Sequence, residues 1–242
     1  SISSAIASKS LFSHALEVLN SIPVNYTSKD LNLARQHLSR VVGRDVNNLS
    51  KDEVLRALAE TVSENSVDGI FAPLFWIFIG GFLWQISPVF PGPLALGWTF
   101  KAVSTIDSMI GYKHGKLRWL GSFGAHLDDY LTWVPCRLVV CTLPLITNKW
   151  RDIPLIIKEA FKDGGKDPSP NSGLSEAIFA HCAKVKMGGE NYYQGILTNK
   201  PILAKDAPNA DKQSIKRIIR MCLSLEILWL TTFSLIYYFI SK

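Results

Sequence analysis

The sequence has no two cysteines spaced as CxxC, no GxxxxGK[ST] loop and, from Gly69 to Phe100, no Asp, Glu, Lys or Arg at all. Cys136, Cys141, Cys182 and Cys222 form no Cys/His cluster at zinc spacing, so they read as buried thiols rather than as a metal site or a disulfide framework. Without a Gly-rich phosphate loop, no nucleotide site can be read from the residues themselves. Val/Ile/Thr alternation is missing too, which excludes a sheet of more than two strands. The chain opens "SISSAIASKS", with no initiator Met and no basic region ahead of an apolar one, so no targeting signal is legible. There is no internal repeat and no low-complexity tract.

Apolar residues dominate what is there. A hydrophobic share of 48% with seven Trp in 242 residues exceeds what a soluble core of this size needs. The expectation is an all-α, polytopic integral membrane protein with interfacial helices and polar loops, forming one domain over 1–242. Net charge is +6. The cations cluster only modestly, at Arg35 to Arg44 and Lys212 to Arg220, and the aromatics lie in apolar runs, which suits a cytoplasmic membrane surface and not nucleic acid. Candidate spans are about 70–86, 94–112, 130–148 and 222–240, with "SPVFPGP" as a turn after the first, which also allows a re-entrant hairpin.

Between the spans the pattern is helical. Leu31, Ala34, Leu38, Val41 and Val42 recur at three- and four-residue intervals. Ser50 before "KDE" predicts a capping box with Glu53 and a helix running to Glu64. A short amphipathic helix is expected over Arg151 to Gly165 and another over Leu174 to Val185, flanked by the loops "DGGKDPSPNSG" and "MGGENYYQG".

Glu60, Glu64 and Asp68 are four residues apart and share one helical face where charge disappears from the sequence. They form either a solvated face flanking a span or a site. Lys101 and Asp107 in the second apolar segment and Arg137 in the third are costly at membrane depth, so each is a functional candidate with a protein-facing ion pair as the alternative. Six residues is a poor helical spacing for a Lys101–Asp107 pair. Asp128 and Asp129 point about 100° apart on a helix, so one is expected to bind and the other to cap or to pair with Arg137. Ser169, Asn171 and Ser172 precede a helix start, where free N–H groups attract phosphate, though an N-cap reading serves equally; Glu176 in the first turn fits both. Gly188 and Gly189 read as a tight turn or a phosphate cradle, and Tyr192 and Tyr193 as stacking platforms or interface anchors. His181 and Cys182 read as structural.

The polar residues fall in ordered clusters: "ARQHLSRVVGRD", "ETVSENSVDG", "APLFW", "STIDSMIGYK", "HLDDYLTWVPCR", "DPSPNSGLSEA" and "MGGENYYQG". Taken in this order, over about Ser10 to Gly195, they closely resemble the cobalamin-biosynthesis family called CobD or CbiB. The resemblance implies adenosylcobinamide-phosphate synthase, a multi-pass enzyme of the bacterial cell membrane that uses ATP to join adenosylcobyric acid to an aminopropanol or its phosphate by an amide bond. ATP and Mg²⁺ would be the cofactors, the corrinoid a substrate, and the bilayer and other corrin-pathway membrane enzymes the partners. Glu60, Glu64, Asn65, Asp68, Asp107 and Asp128 become the expected catalytic groups, with Glu64, Asp68 and Asp107 on the metal. Lys113, Arg137, Ser169, Asn171, Ser172, Glu176, Gly188, Gly189 and Tyr192 become the expected substrate contacts. The family's apolar N-terminal region with its His-Pro motif is not found in this chain and is expected to be missing from it. Ser104, His126 and Thr132 depart from the family's usual Asn, Arg and Asn, as Cys136 does from Ala, and the first three are poor candidates for essential groups. These departures motivate a second reading, a non-enzymatic corrinoid-binding or assembly protein of the membrane.

Overall fold

The computed structural model describes residues 7–23, 31–110, 118–240 and 242. The helices are α1 (Ser8–Asn20), α2 (Asn32–Leu38), α3 (Lys51–Ser66), α4 (Ala72–Ile86), α5 (Pro93–Ile110), α6 (Arg118–Thr147), α7 (Ile153–Gly164), α8 (Ser172–Ala183) and α9 (Lys212–Ile240). A π turn, Val67–Phe71, joins α3 to α4, and one antiparallel hairpin, β1 (Met187–Tyr193) with β2 (Ile196–Leu203), lies between α8 and α9. The all-α membrane-type fold expected from the sequence is the one observed, and this hairpin is the whole of the sheet among the described residues.

Among the described residues three helices are long and apolar enough to cross a membrane: Lys51–Ile86 through the π turn, Gly121–Thr147 and Lys212–Ile240. They contain the expected segments 70–86, most of 130–148, and 222–240. The fourth, 94–112, is helical from Pro93 to Ile110 but is not apolar enough to stand with them, because Lys101, Ser104, Thr105, Asp107 and Ser108 crowd its second half. It packs along α4 as the second arm of a helical hairpin. Residues 111 and 112 lie outside the described residues.

Local signals account for the helix ends. Ser50 Oγ accepts from Glu53 N–H at 3.3 Å while Glu53 Oε2 accepts from Ser50 N–H at 2.7 Å, the capping box read from the sequence. Asp211 and Ser214 make the equivalent exchange at the start of α9, at 2.9 and 2.6 Å. Along α9, Trp229 packs edge-on to Phe71 and to Phe233 and donates its indole N–H to Thr142 Oγ1 at 3.0 Å. That residue ties α9 to both other long helices.

Prolines inside two of these helices leave carbonyls that a helix would have used, and tertiary donors take them up. Pro73 has no N–H for Gly69 O; that oxygen accepts from Ala7 N–H at 2.8 Å, and the backbone widens so that Ala72 N–H bonds Val67 O. Pro135 likewise frees Leu131 O, which accepts from the Trp76 indole N–H at 3.0 Å. The motifs "APLFW" and "WVPCR" are therefore two halves of one contact.

The hairpin is held down by a buried carboxylate. Glu60 is 1% exposed; its Oε1 accepts from Gly188 N–H at 2.7 Å and its Oε2 pairs with Arg44. Arg44 also donates to Asn191 Oδ1 at 2.6 Å, and Arg56 reaches the Gly188 carbonyl and, at 2.7 Å, the Glu190 carbonyl. "MGGENYYQG" is thus a strand and its turn rather than a loop: only Gln194 and Gly195 turn the chain, with φ of 52° and 78°. Gly188 has φ +82°, and a Cβ there would lie 1.8 Å from Pro201 O.

Gly188→Ala is therefore expected to destabilise the protein by at least about 2 kcal/mol, whereas Gly195→Ala, with open space around it, is expected to cost about 1 kcal/mol for the left-handed backbone alone. Thermal unfolding of both variants in detergent checks the order.

Candidate functional site

A cavity of about 480 Å³ is lined by side chains from five parts of the chain. Glu64 and Asp68 come from the last turn of α3 and the π turn, Asp107 from α5, Asp128 and Asp129 from α6, and Asp167 from the turn before α8. Lys200 on β2 is the one cation lining it among the described residues. Spacing explains the convergence. Glu64 and Asp68 are stacked four apart, and so are Asp128 and Thr132. Asp129, turned by one residue, faces the 167–172 turn.

That turn is closed on itself. Ser169 N–H donates to Asp167 Oδ1 at 2.9 Å, and Ser169 Oγ accepts from the N–H groups of Asn171 and Ser172 at 3.3 and 3.2 Å. Asp129 Oδ1 accepts from Ser169 Oγ and from Asn171 Nδ2, both at 3.2 Å. Arg137 donates to Asn171 Oδ1 at 2.5 Å and to Pro170 O at 2.9 Å, with its guanidinium 4.6 Å from the Trp133 ring centre. Asp129 neither caps a helix N–H nor pairs with Arg137 but holds the turn through its side chains, and Arg137, with no carboxylate within 4 Å among the described residues, braces the same turn. The N–H groups of Ser169, Asn171 and Ser172 are already committed within the turn.

The remaining carboxylates are not. Among the described residues no ion pair within 4 Å reaches Glu64, Asp68, Asp107 or Asp128. Asp128 Oδ1 and Thr132 Oγ1 are buried with no hydrogen-bond partner. Buried polar atoms in this state mark a place where something else supplies the partner.

The structure brings Glu64, Asp68, Asp107, Asp128, Ser169, Asn171 and Ser172 to this cavity. It places the others elsewhere. Glu60 is spent on the Arg44 pair and the hairpin, and Gly188 and Gly189 form the base of β1 with positive φ, Gly188 because the Pro201 backbone lies against it. Asn65 opens on a neighbouring cavity, and Tyr192 lines a separate one beside Asp45, leaving Tyr193 to face the carboxylates. Lys113 lies outside the described residues. Among those residues no three His, Cys, Asp or Glu side chains form a metal-holding group, so Glu64, Asp68 and Asp107 share the cavity without making a cage. Sequence reading missed Asp167, whose neighbours drew attention away from it, and Lys200, which stands in no motif. It discounted Thr132.

Glu176, expected at the cavity, sits behind it at 1% exposure and receives Lys200 Nζ at 2.7 Å. Burial pushes the Glu176 carboxyl up to about 8 against the pull of Lys200. Burial also opposes the charge of Lys200, but Glu176 and then Glu64 outweigh it and raise that ammonium above the usual lysine range. The two senses conflict; the 2.7 Å contact favours the ion pair, which keeps Lys200 cationic at neutral pH. Lys200→Met is expected to cost about 2 kcal/mol by stranding Glu176, and Lys200→Met combined with Glu176→Leu to recover most of it. A double-mutant cycle on thermal stability checks this.

The family model described as CobD/Cbib protein matches residues 1–222. The chain is 46% identical over 202 residues to the cobalamin biosynthesis protein CobD of Synechocystis, covering 84% of this chain and 56% of that protein. It is 40% identical over 201 residues to CobD of Halalkalibacterium halodurans, with 82% and 58% covered, and 36% identical over 225 residues to the cobalamin biosynthesis protein CbiB of Salmonella arizonae, with 91% and 64% covered. The chain therefore spans between half and two thirds of the length of these relatives. No solved structure matches it. By the extent of these matches, the chain belongs to the CobD/CbiB family.

Proposed function

We propose that this protein acts in cobalamin biosynthesis as a multi-pass membrane ligase, adenosylcobinamide-phosphate synthase, forming an amide between a propionate carboxylate of adenosylcobyric acid and the amine of aminopropanol or its phosphate, at the expense of ATP. One observation carries the reading: four separated motifs of the family deliver six carboxylates to one cavity, with a single ammonium among the described residues to offset them. Relatives that bear the name cobalamin biosynthesis protein supply the pathway. A cavity of 480 Å³ is of ligand size and takes the reacting arm of the corrinoid, while the macrocycle stays outside.

The donor set fits Mg²⁺. That ion keeps several waters and uses one or two protein carboxylates together with substrate phosphate, so it does not need the three-ligand cage that the cavity lacks. Glu64, Asp68 and Asp107 would hold it. When bound, Mg²⁺ neutralises phosphate charge and polarises the phosphoryl oxygens.

The chain's own groups do the rest. ATP phosphorylates the propionate carboxylate, releasing ADP, and the amine then displaces phosphate from the acyl phosphate; that amine arrives protonated, drawn in by the excess of carboxylates, and must lose a proton before it attacks. Asp128 is the base, because its Oδ1 has no partner to give up. Lys200 spends one N–H on Glu176 and has two more to turn toward the oxygen that gains charge as the amine adds. Asp129, Ser169 and Asn171 fix the wall opposite and leave Thr132 Oγ1 free to orient the amine.

Asp68→Asn removes a charge and almost no volume. Turnover of adenosylcobyric acid with ATP, Mg²⁺ and aminopropanol phosphate is expected to fall at least about tenfold, roughly 1.4 kcal/mol, with folding unchanged. Glu159→Gln, which changes a side chain outside the cavity, is expected to be tolerated. Full activity of Asp68→Asn in detergent removes its metal role. Absence of turnover by folded wild-type protein replaces the ligase with a corrinoid-binding protein.

A further inference from the structure

Asp68 also lines a second cavity, of about 570 Å³, in which Arg40 and Lys101 outnumber it as the one carboxylate among the described residues. Its polar walls are His14 from α1, Arg40 from the turn after α2, Asn65 from α3, and Lys101, Ser104 and Ser108 from α5. Lys101, Ser104 and Ser108 are three and four residues apart, a single face of that helix. Asp107 lies on another face, about 120° round from Lys101, and turns into the carboxylate cavity. One helix thus presents a cation to one compartment and a carboxylate to the other, and the two do not pair.

Arg40 and Lys101 have no carboxylate within 4 Å among the described residues. A lysine without a counter-ion on an otherwise largely apolar helix that packs along a membrane-length one is costly unless a ligand supplies the charge. The groups first expected to hold phosphate do not offer themselves: the Arg137 guanidinium and the N–H groups of the 169–172 turn are used within the fold. Among the described residues, the remaining concentration of cations without a carboxylate partner, with the Ser104 hydroxyl, beside the carboxylates is this second compartment.

We propose that Arg40, Lys101 and Ser104 form the phosphate-binding compartment for the amino alcohol substrate, whose amine reaches past Asp68 into the carboxylate cavity. The assignment rests on the ligase reading for the identity of the ligand and on the two cavities for its place. A phosphorylated amino alcohol is anionic at one end and cationic at the other, and the two compartments are charged in the matching sense. A nucleoside triphosphate offers the same phosphate chemistry but no ammonium for the carboxylate side. Asn65, on the wall of this second cavity one turn from the shared Asp68, is placed to hydrogen-bond the ester between the two ends.

Isothermal titration calorimetry of the purified chain in detergent tests this without turnover, using aminopropanol phosphate, aminopropanol and ATP as separate probes. Lys101→Met and Arg40→Met should each raise the Kd for aminopropanol phosphate at least about tenfold, leave the other two probes unchanged, and unfold at the wild-type temperature. Lys101→Arg should retain most of the binding. Loss confined to ATP, equal binding by wild type and variants, or no binding of aminopropanol phosphate by wild type overturns the assignment. Binding that is lost in the variants, from a wild type that makes no product, keeps the compartment and removes the ligase.

Discussion

Pro73 sits inside a helix of 36 residues and cannot donate to the carbonyl of Gly69. The rest of the site follows from how that one missing bond is absorbed. The helix opens into the π turn Val67–Phe71, Ala7 supplies the donor that Gly69 O needs, and α1 is thereby fixed against the widened segment. Asp68 lies in that turn, with Glu64 a turn before it and Asn65 beside it, so the irregularity puts a carboxylate on the wall common to two cavities. Pro135 repeats the arrangement on the facing helix, where Trp76 completes Leu131 and sets α6 so that Asp128 and Thr132 look inward. π turns recur at functional sites because they reorient side chains without ending a helix.

Charge then decides what the cavities can do. Four carboxylates that have no paired cation among the described residues repel one another, and on the proposed reading cations or protons that enter with ligands relieve that repulsion. The charges that serve the fold have been satisfied elsewhere: Glu60 by Arg44 and a backbone N–H, Glu176 by Lys200, Asp129 by the turn before α8. The distinction between paired and unpaired acids separates the structural from the chemical role more sharply than burial does.

The helical character, the Ser50 cap, the basic start of α9 and three of the apolar segments were legible in the sequence because each depends on local periodicity or on a neighbour three or four residues away. Glu64 and Asp68 were legible as acids sharing one helical face where charge disappears, Asp107 as a costly charge in an apolar segment, and Asp128 through the family motif. What was not legible depends on distant pairing. Glu60 has the same spacing as Glu64 and Asp68, and only Arg44 and Gly188 reveal it as an anchor. Gly188 and Gly189 looked like a loop because what demands glycine is tertiary, the Pro201 backbone on the paired strand at Gly188 and a positive φ at Gly189. Lys200 had no motif around it, and Thr132 was set aside for differing from the family pattern although its hydroxyl lines the cavity.

The central claim is that the carboxylate cavity binds a divalent cation together with phosphate. Mn²⁺, which takes the same oxygen donors as Mg²⁺, can be followed by electron paramagnetic resonance in purified protein with a non-hydrolysable nucleoside triphosphate. The account predicts saturable binding of Mn²⁺ by the wild type that is weakened at least about tenfold in Asp68→Asn and unchanged in Glu159→Gln, a surface control outside the cavity. Equal Mn²⁺ binding by wild type and Asp68→Asn, or none by a folded wild type, would contradict it.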